Sequence, residues 1–242
     1  MVLSCKPILW SAMNWRPIIF VWFLFANTHT GNALAGDING HILITKTLTK
    51  KRVTLPSYQL RDVSLPLQPK DSSSFDELSR LAVYLEGPAL DCAAPVNSKL
   101  IQQNIRFEPE ILIVPIGSTV SFPNSDPIFH NVFSLSRSKQ FDLGYYPAGQ
   151  SRTVKFDKAG VVQVYCHLHP HMSAAILVVQ SAWYTRPGKD GSFSLPGIPA
   201  GTYHVVAWHK SAGFFKRRVE LRATGSITVD FTIPIRDMGQ DE

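Results

Sequence analysis

The sequence predicts an all-β protein made of two antiparallel sandwiches with Greek-key connections, and four observations carry that expectation. Short segments rich in Val, Ile, Phe and Tyr recur from Gly36 to the C-terminus. Turn signals such as Pro147-Ala148-Gly149, Asp157-Lys158-Ala159-Gly160 and Lys189-Asp190-Gly191 separate them. No 3.6-residue period is sustained, and Asp76–Arg80 alone suggests a helical turn. Finally, the 242 residues offer more strands than one small sandwich holds.

In chain order, strands are expected at His41–Thr45, Leu81–Leu85, Ile111–Val114, Thr119–Phe122, Asn131–Leu135, Thr153–Phe156, Val161–Cys166 and Ala174–Val179. Four more follow at Ser192–Leu195, Thr202–Trp208, Arg218–Leu221 and Ile227–Ile233. Between the first two lies a polar stretch, Lys46–Ser79, with a Ser72-Ser73-Ser74 run; it reads as a long, partly mobile insertion. Gly87–Lys99, with Pro88 and Pro95, and Ser181–Gly188 read as joints.

Composition excludes several classes. With 45% hydrophobic and 17% charged residues the chain is no disordered polymer, and its 15 Gly and 17 Pro argue against a helical bundle. The formal charge of +6 falls to +4 without residues 1–35, which hold Lys6 and Arg16 and no acid. The short basic runs Lys50-Lys51-Arg52 and Lys216-Arg217-Arg218 read as solvated loops, so no nucleic-acid partner is expected.

Residues 1–35 read as a secretory signal. A basic front precedes the apolar block Ile18–Ala26, and Ala33-Leu34-Ala35 is a small-x-small cleavage pattern before Gly36. The block is about half of what a membrane span needs, so no stable span is expected once the signal is cleaved; an uncleaved anchor is the alternative. The expected location is the periplasm. Cys5 would leave with the signal, keeping Cys92 and Cys166, and in an oxidising compartment these two would ordinarily suggest a disulfide.

The surroundings of Cys166 argue for other chemistry. Tyr165-Cys166-His167-Leu168-His169-Pro170-His171-Met172 packs a thiol, three imidazoles and a thioether into eight residues. Val162, Val164 and Cys166 alternate onto one strand face, which points the thiol inward. Upstream, His130 opens a strand after Asp126-Pro127-Ile128-Phe129. One Cys, two His and a weakly bound Met form the donor set of a blue-copper centre, in which soft sulfur favours Cu(I) and imidazole serves both oxidation states.

The run from Phe107 to Val179 resembles a cupredoxin of the plastocyanin type. It holds Phe107-Glu108-Pro109-Glu110, Val114-Pro115-Ile116-Gly117-Ser118-Thr119-Val120-Ser121-Phe122, His130-Asn131-Val132, the turn at Pro147–Gly149 and the histidine loop. The Cys166, His169, Met172 spacing with Pro170 is similar to amicyanin's short ligand loop. The resemblance implies one mononuclear type 1 copper, with His130, Cys166 and His169 equatorial and Met172 axial. It also implies that Asn131 stiffens the site, its backbone N–H donating to the Cys166 sulfur, and that the His169 edge is the electron port. Read from the residues alone, alternatives stay open: Met172 as a core residue, His171 in place of His169, and a Cys92–Cys166 disulfide that removes the site. His167 is expected to point away from Cys166.

The stretch Asp190–Val206 resembles a carboxypeptidase regulatory-like, transthyretin-like sandwich, with Val219–Leu221 and Ser226–Ile233 as closing strands. Gly36–Leu43 and Ala82–Gly87 look like opening strands of that same domain. The expected organisation is therefore a signal over 1–35, the transthyretin-like sandwich over 36–97 and 181–235, split by a cupredoxin at 98–180, and a tail at 236–242. Simple succession of domains is the alternative. His41, His204 and His209 are expected in structural or surface roles. The functional expectation is a non-enzymatic carrier of single electrons for a redox partner protein. The alternatives are a copper-delivery protein without electron transfer and a purely structural secreted protein.

Overall fold

Two strands, Leu81–Glu86 and Ser173–Val179, organise the molecule, because apart from Glu86 and Ser173 they are buried on both faces and must be covered on both. In the computed structural model, which describes residues 35–46, 48, 76–88 and 90–234, these two strands lie back to back between two sandwiches. Apart from Ala35, Lys46, Leu48 and Asp76–Ser79, the expected signal, the Lys46–Ser79 insertion and the 236–242 tail lie outside the described residues. All regular structure described is strand, except one 3-10 turn at Leu78–Arg80 where a helical turn was expected.

The first sandwich draws on both ends of the described chain. Ala35–Ile44 pairs antiparallel with Ser192–Pro199 and parallel with Ser226–Thr228 and Phe231–Ile233. Its other sheet orders Tyr184–Thr185, Leu81–Glu86, Gly201–His209 and Gly213–Leu221. Ile38, Ile42, Leu81, Val83, Leu85, Val205 and Phe231 fill the space between. The Asp190-Gly191 turn leads into the strand paired with Ala35–Ile44: Gly191 sits at φ +87°, and a Cβ there would run into the Ile42 carbonyl oxygen.

The residues between these strands build the second sandwich. Its larger sheet orders Ile111–Pro115, Ser173–Val179, Gly160–Tyr165, His130–Ser136 and Lys139–Tyr146. Asn97–Lys99, Ser118–Pro123 and Ser151–Phe156 form a second sheet, and Ile101–Gln103 with Arg106–Glu108 a hairpin. Val120, Phe122, Val132, Phe156, Val162, Val164 and Ile176 are core residues. Alternate residues of Ser173–Val179 divide between two cores: Ala174, Ile176 and Val178 face this one, whereas Ala175, Leu177 and Val179 pack on Ala82, Tyr84, Val206 and Trp208 of the first sandwich.

Two expectations need correction. The sheets are mixed rather than antiparallel, since Ser173–Val179 runs parallel to Ile111–Pro115, and Asn97–Lys99 to Ser118–Pro123. These neighbours are joined by long excursions through other strands, the only connection that lets parallel strands meet. The Ser181–Gly188 joint also contains a short strand, Tyr184–Thr185, laid on Leu81–Glu86. Lys139–Tyr146 escaped the sequence reading because it is a sheet edge with polar alternate positions and little buried surface.

Candidate metal centre

Three of the four expected ligands meet at one end of the second sandwich. His130 opens its strand, Cys166 directly follows Gly160–Tyr165, and His169 lies in the turn before Ser173–Val179. These neighbouring strands share one sheet, so the strand ends bring residues 36 or more positions apart into contact. The donor atoms of His130, Cys166 and His169 all lie within 4.8 Å of one another. His130 Nδ1 is 3.1 Å from His169 Nδ1, which is 3.8 Å from Cys166 Sγ. Donors about 2.0–2.3 Å from a shared ion stand some 3–4 Å apart, so these separations fit a metal.

Met172 is buried, 1% exposed, and belongs to the same core cluster as Cys166. Its backbone N–H donates to the His169 carbonyl at 2.9 Å, which ties the thioether residue to the ligand turn. His171 is exposed, its ring centroid 6.3 Å from that of His169; among the described residues it is His169 that joins the donor cluster. Cys166 is a free, buried thiol, which removes the disulfide alternative with Cys92. His167 points away from the cluster and stacks on Phe133, centroids 3.8 Å apart at 4°.

Sequence reasoning passed over Asp126. Its carboxylate is nearly buried and accepts three hydrogen bonds: from the Asn104 N–H at 2.7 Å, the Ile105 N–H at 2.9 Å and His130 Nε2–H at 2.8 Å. A carboxylate only accepts here, so the His130 proton sits on Nε2, and the Nδ1 lone pair faces Cys166 and His169. Burial opposes ionisation of Asp126, yet the bonds from Ile105, His130 and Asn104 outweigh it and hold the carboxyl below its ordinary value. The turn it grips is unusual: Asn104 and Ile105 have φ of 53° and 55°, a region β-branched residues avoid. Spacing offered a partial signal, since Asp126 lies four residues before His130, but the hairpin partner is visible only in three dimensions.

Asn131 makes a side-chain contact that the sequence did not suggest. Its side-chain amide donates to Asp142 Oδ1 at 2.7 Å, and that carboxylate also accepts the Gly144 N–H. The Gly144 and Asn131 bonds hold Asp142 below the ordinary carboxyl range. His169, pushed below its usual value by burial and then by the His130 and His171 rings, is neutral near pH 7 and keeps a lone pair for a metal. Two imidazoles and a thiol form a mixed nitrogen–sulfur donor set, suited to copper and poorly suited to hard cations.

No protein-family model matches the chain, and no curated protein matches it. Among solved structures it is similar to a purple cupredoxin from Nitrosopumilus maritimus at 24% identity and a TM-score of 0.31, over 34% of this chain and 99% of that one. A copper-containing nitrite reductase from Thermus scotoductus SA-01 is similar at 22% identity and a TM-score of 0.34, over 39% of this chain and 25% of that enzyme. The reduced Cu(I) form of an amicyanin mutant is similar at 19% identity and a TM-score of 0.33, over 40% of this chain and 98% of that one.

Proposed function

We propose that this chain is an exported, mononuclear type 1 copper protein that passes single electrons between redox partner proteins of the periplasm. The observation that carries the reading is the convergence of His130 Nδ1, Cys166 Sγ and His169 Nδ1 within 4.8 Å beside a packed apolar core. When bound, copper supplies one-electron chemistry between Cu(II) and Cu(I). His130, Cys166 and His169 would hold it, with Met172 as the weak fourth donor.

The chain's own contribution is rigidity. Asp126 fixes the His130 ring and its tautomer, Asn131 is tied to Asp142, and Val162, Val164 and Met172 wall Cys166 off from water. A donor set held by strands and buried hydrogen bonds resists rearrangement when one electron moves. Ile128, Phe129 and Leu168, exposed in the two loops that carry His130 and His169, offer a partner an apolar contact surface. The two-segment sandwich around it reads as a carboxypeptidase regulatory-like domain into which the copper domain is inserted.

Adding Cu(II) to the purified mature chain and recording visible absorption and paramagnetic resonance together tests this. An intense thiolate-to-copper band, lost in Cys166→Ser, is expected. A weak band with ordinary tetragonal hyperfine splitting, unchanged in Cys166→Ser, overturns it in favour of copper handling, for which the exposed His171 beside His169 would supply a transient ligand.

A further inference from the structure

We infer that Lys210, a residue of the first sandwich, is a positioning residue for the ligand turn of the second: it fixes the chain just after Met172 by holding the Ser173 carbonyl and the Glu110 carboxylate together. Lys210 follows the strand Gly201–His209, and its backbone N–H donates to the Arg80 carbonyl at 3.1 Å. Its stem is thus anchored to two neighbouring strand ends of the first sandwich. From there Nζ crosses between the sandwiches and donates to Glu110 Oε1 at 2.7 Å and to the Ser173 carbonyl at 3.0 Å.

Donor capacity explains why the second bond exists: an ammonium carries three N–H donors, and Glu110 Oε1 takes one of those of Lys210. Arg80 donates to both Glu110 carboxylate oxygens, at 2.6 and 2.8 Å, so two cations share one anion. The Lys210 side chain is only 10% exposed, so its ammonium has little water to donate to. The Ser173 carbonyl supplies that second acceptor. Glu110 completes the clamp, because its own backbone carbonyl accepts the Ala175 N–H at 3.0 Å.

The clamp therefore grips the chain at residues 173 and 175, one and three positions beyond the expected axial ligand. Met172 N–H in turn donates to the His169 carbonyl, so displacement of Ser173 is passed to both Met172 and His169. A salt bridge that merely glued the sandwiches together would need only Arg80 and Glu110. The Lys210–Ser173 bond is what directs the contact onto the ligand turn. This deepens the copper reading and rests on it for the spectroscopic arm of the test alone.

The test uses the full mature chain with Lys210→Met, which keeps the apolar stem and removes the donors, and Lys210→Arg as the conservative rescue. In metal-free protein, hydrogen exchange of the Met172 and Ala175 amides is expected to rise about tenfold in Lys210→Met, with the Ile38 and Val205 amides unchanged and Lys210→Arg restoring protection. Unchanged exchange at residues 172 and 175, or an equal rise at Ile38 and Val205, overturns the inference, the latter making Lys210 a general structural residue. Should Lys210→Met fail to fold, Lys210→Gln, whose shorter side chain cannot hold the Glu110 carboxylate and the Ser173 carbonyl together, replaces it, with the same local rise expected and its absence equally decisive. In copper-loaded protein the relative intensities of the thiolate-to-copper bands are expected to shift, and an unchanged spectrum in Lys210→Met counts against the inference. A wild-type chain that forms no intense thiolate band sinks the copper reading, while the metal-free exchange still decides the role of Lys210.

Discussion

Asp126→Asn removes one charge and almost no volume, and the structure says what that costs. The carboxylate takes the Asn104 N–H on Oδ1, and the Ile105 N–H and His130 Nε2–H on Oδ2. An asparagine has one acceptor oxygen. Placed to keep Ile105 and His130, it turns its NH2 toward the Asn104 N–H, and one part-buried donor loses its partner. That loss costs about 1 kcal/mol, and converting two charge-assisted bonds to neutral ones about 1 kcal/mol each, roughly 3 kcal/mol together. Urea unfolding of the metal-free chain measures it. A loss below about 1 kcal/mol would refute the view that this carboxylate is a charged anchor. The acid limb gives a second check. Because the folded-state value is depressed, the contribution is full above the unfolded value near 4 and is lost as pH falls through the folded one, so Asp126→Asn should flatten that limb. Copper affinity should drop about 10–100-fold, as when a metal-bound histidine loses its supporting partner.

His169→Ala should weaken copper binding by more than about 100-fold, whereas His171→Ala should leave it within about threefold; equal effects in a copper titration would mean the ligand was misassigned. Leu177→Ala, at the packed seam between the sandwiches, should cost about 3 kcal/mol in a denaturant titration, and a cost near zero would show that the seam is not a true core. His209 is fully buried, accepts the Ser211 and Ala212 N–H groups on Nδ1, and is pushed below its ordinary value by burial against the opposing pull of Glu77. The unfolded chain therefore takes up a proton below about pH 6.5 that the folded one refuses, and stability should fall by up to about 1.4 kcal/mol per pH unit there. Comparing denaturant midpoints at pH 7.5 and 5.5 in wild type and His209→Asn checks this; an equal slope in both would assign the effect elsewhere.

Much of the fold was legible because strands announce themselves locally. Alternation at Val162, Val164 and Cys166, and the turn residues at Gly160 and Gly191, act over a few positions, and the expected strands are present with shifted ends, Ile227–Ile233 dividing into two; Asn97–Lys99, Ile101–Gln103, Arg106–Glu108, Lys139–Tyr146 and Tyr184–Thr185 were not expected. Edge strands such as Lys139–Tyr146 were missed because an edge buries little and so carries little apolar signal. His209 illustrates the opposite failure: nothing in its neighbours along the chain distinguishes a surface imidazole from one enclosed by Glu77, Ser211 and Ala212.

The candidate donor types were legible along the chain, because a thiol, an imidazole and a thioether at residues 166, 169 and 172 fall within a single turn. Which histidine turned inward, and that Asp126 fixes the tautomer of His130, were settled only by tertiary structure, since each depends on groups brought together from distant strands. The same holds for the strand Ser173–Val179. Its composition required cover on both faces, but only the assembled chain shows that the outer cover is a second sandwich, built from segments on either side of the first in sequence.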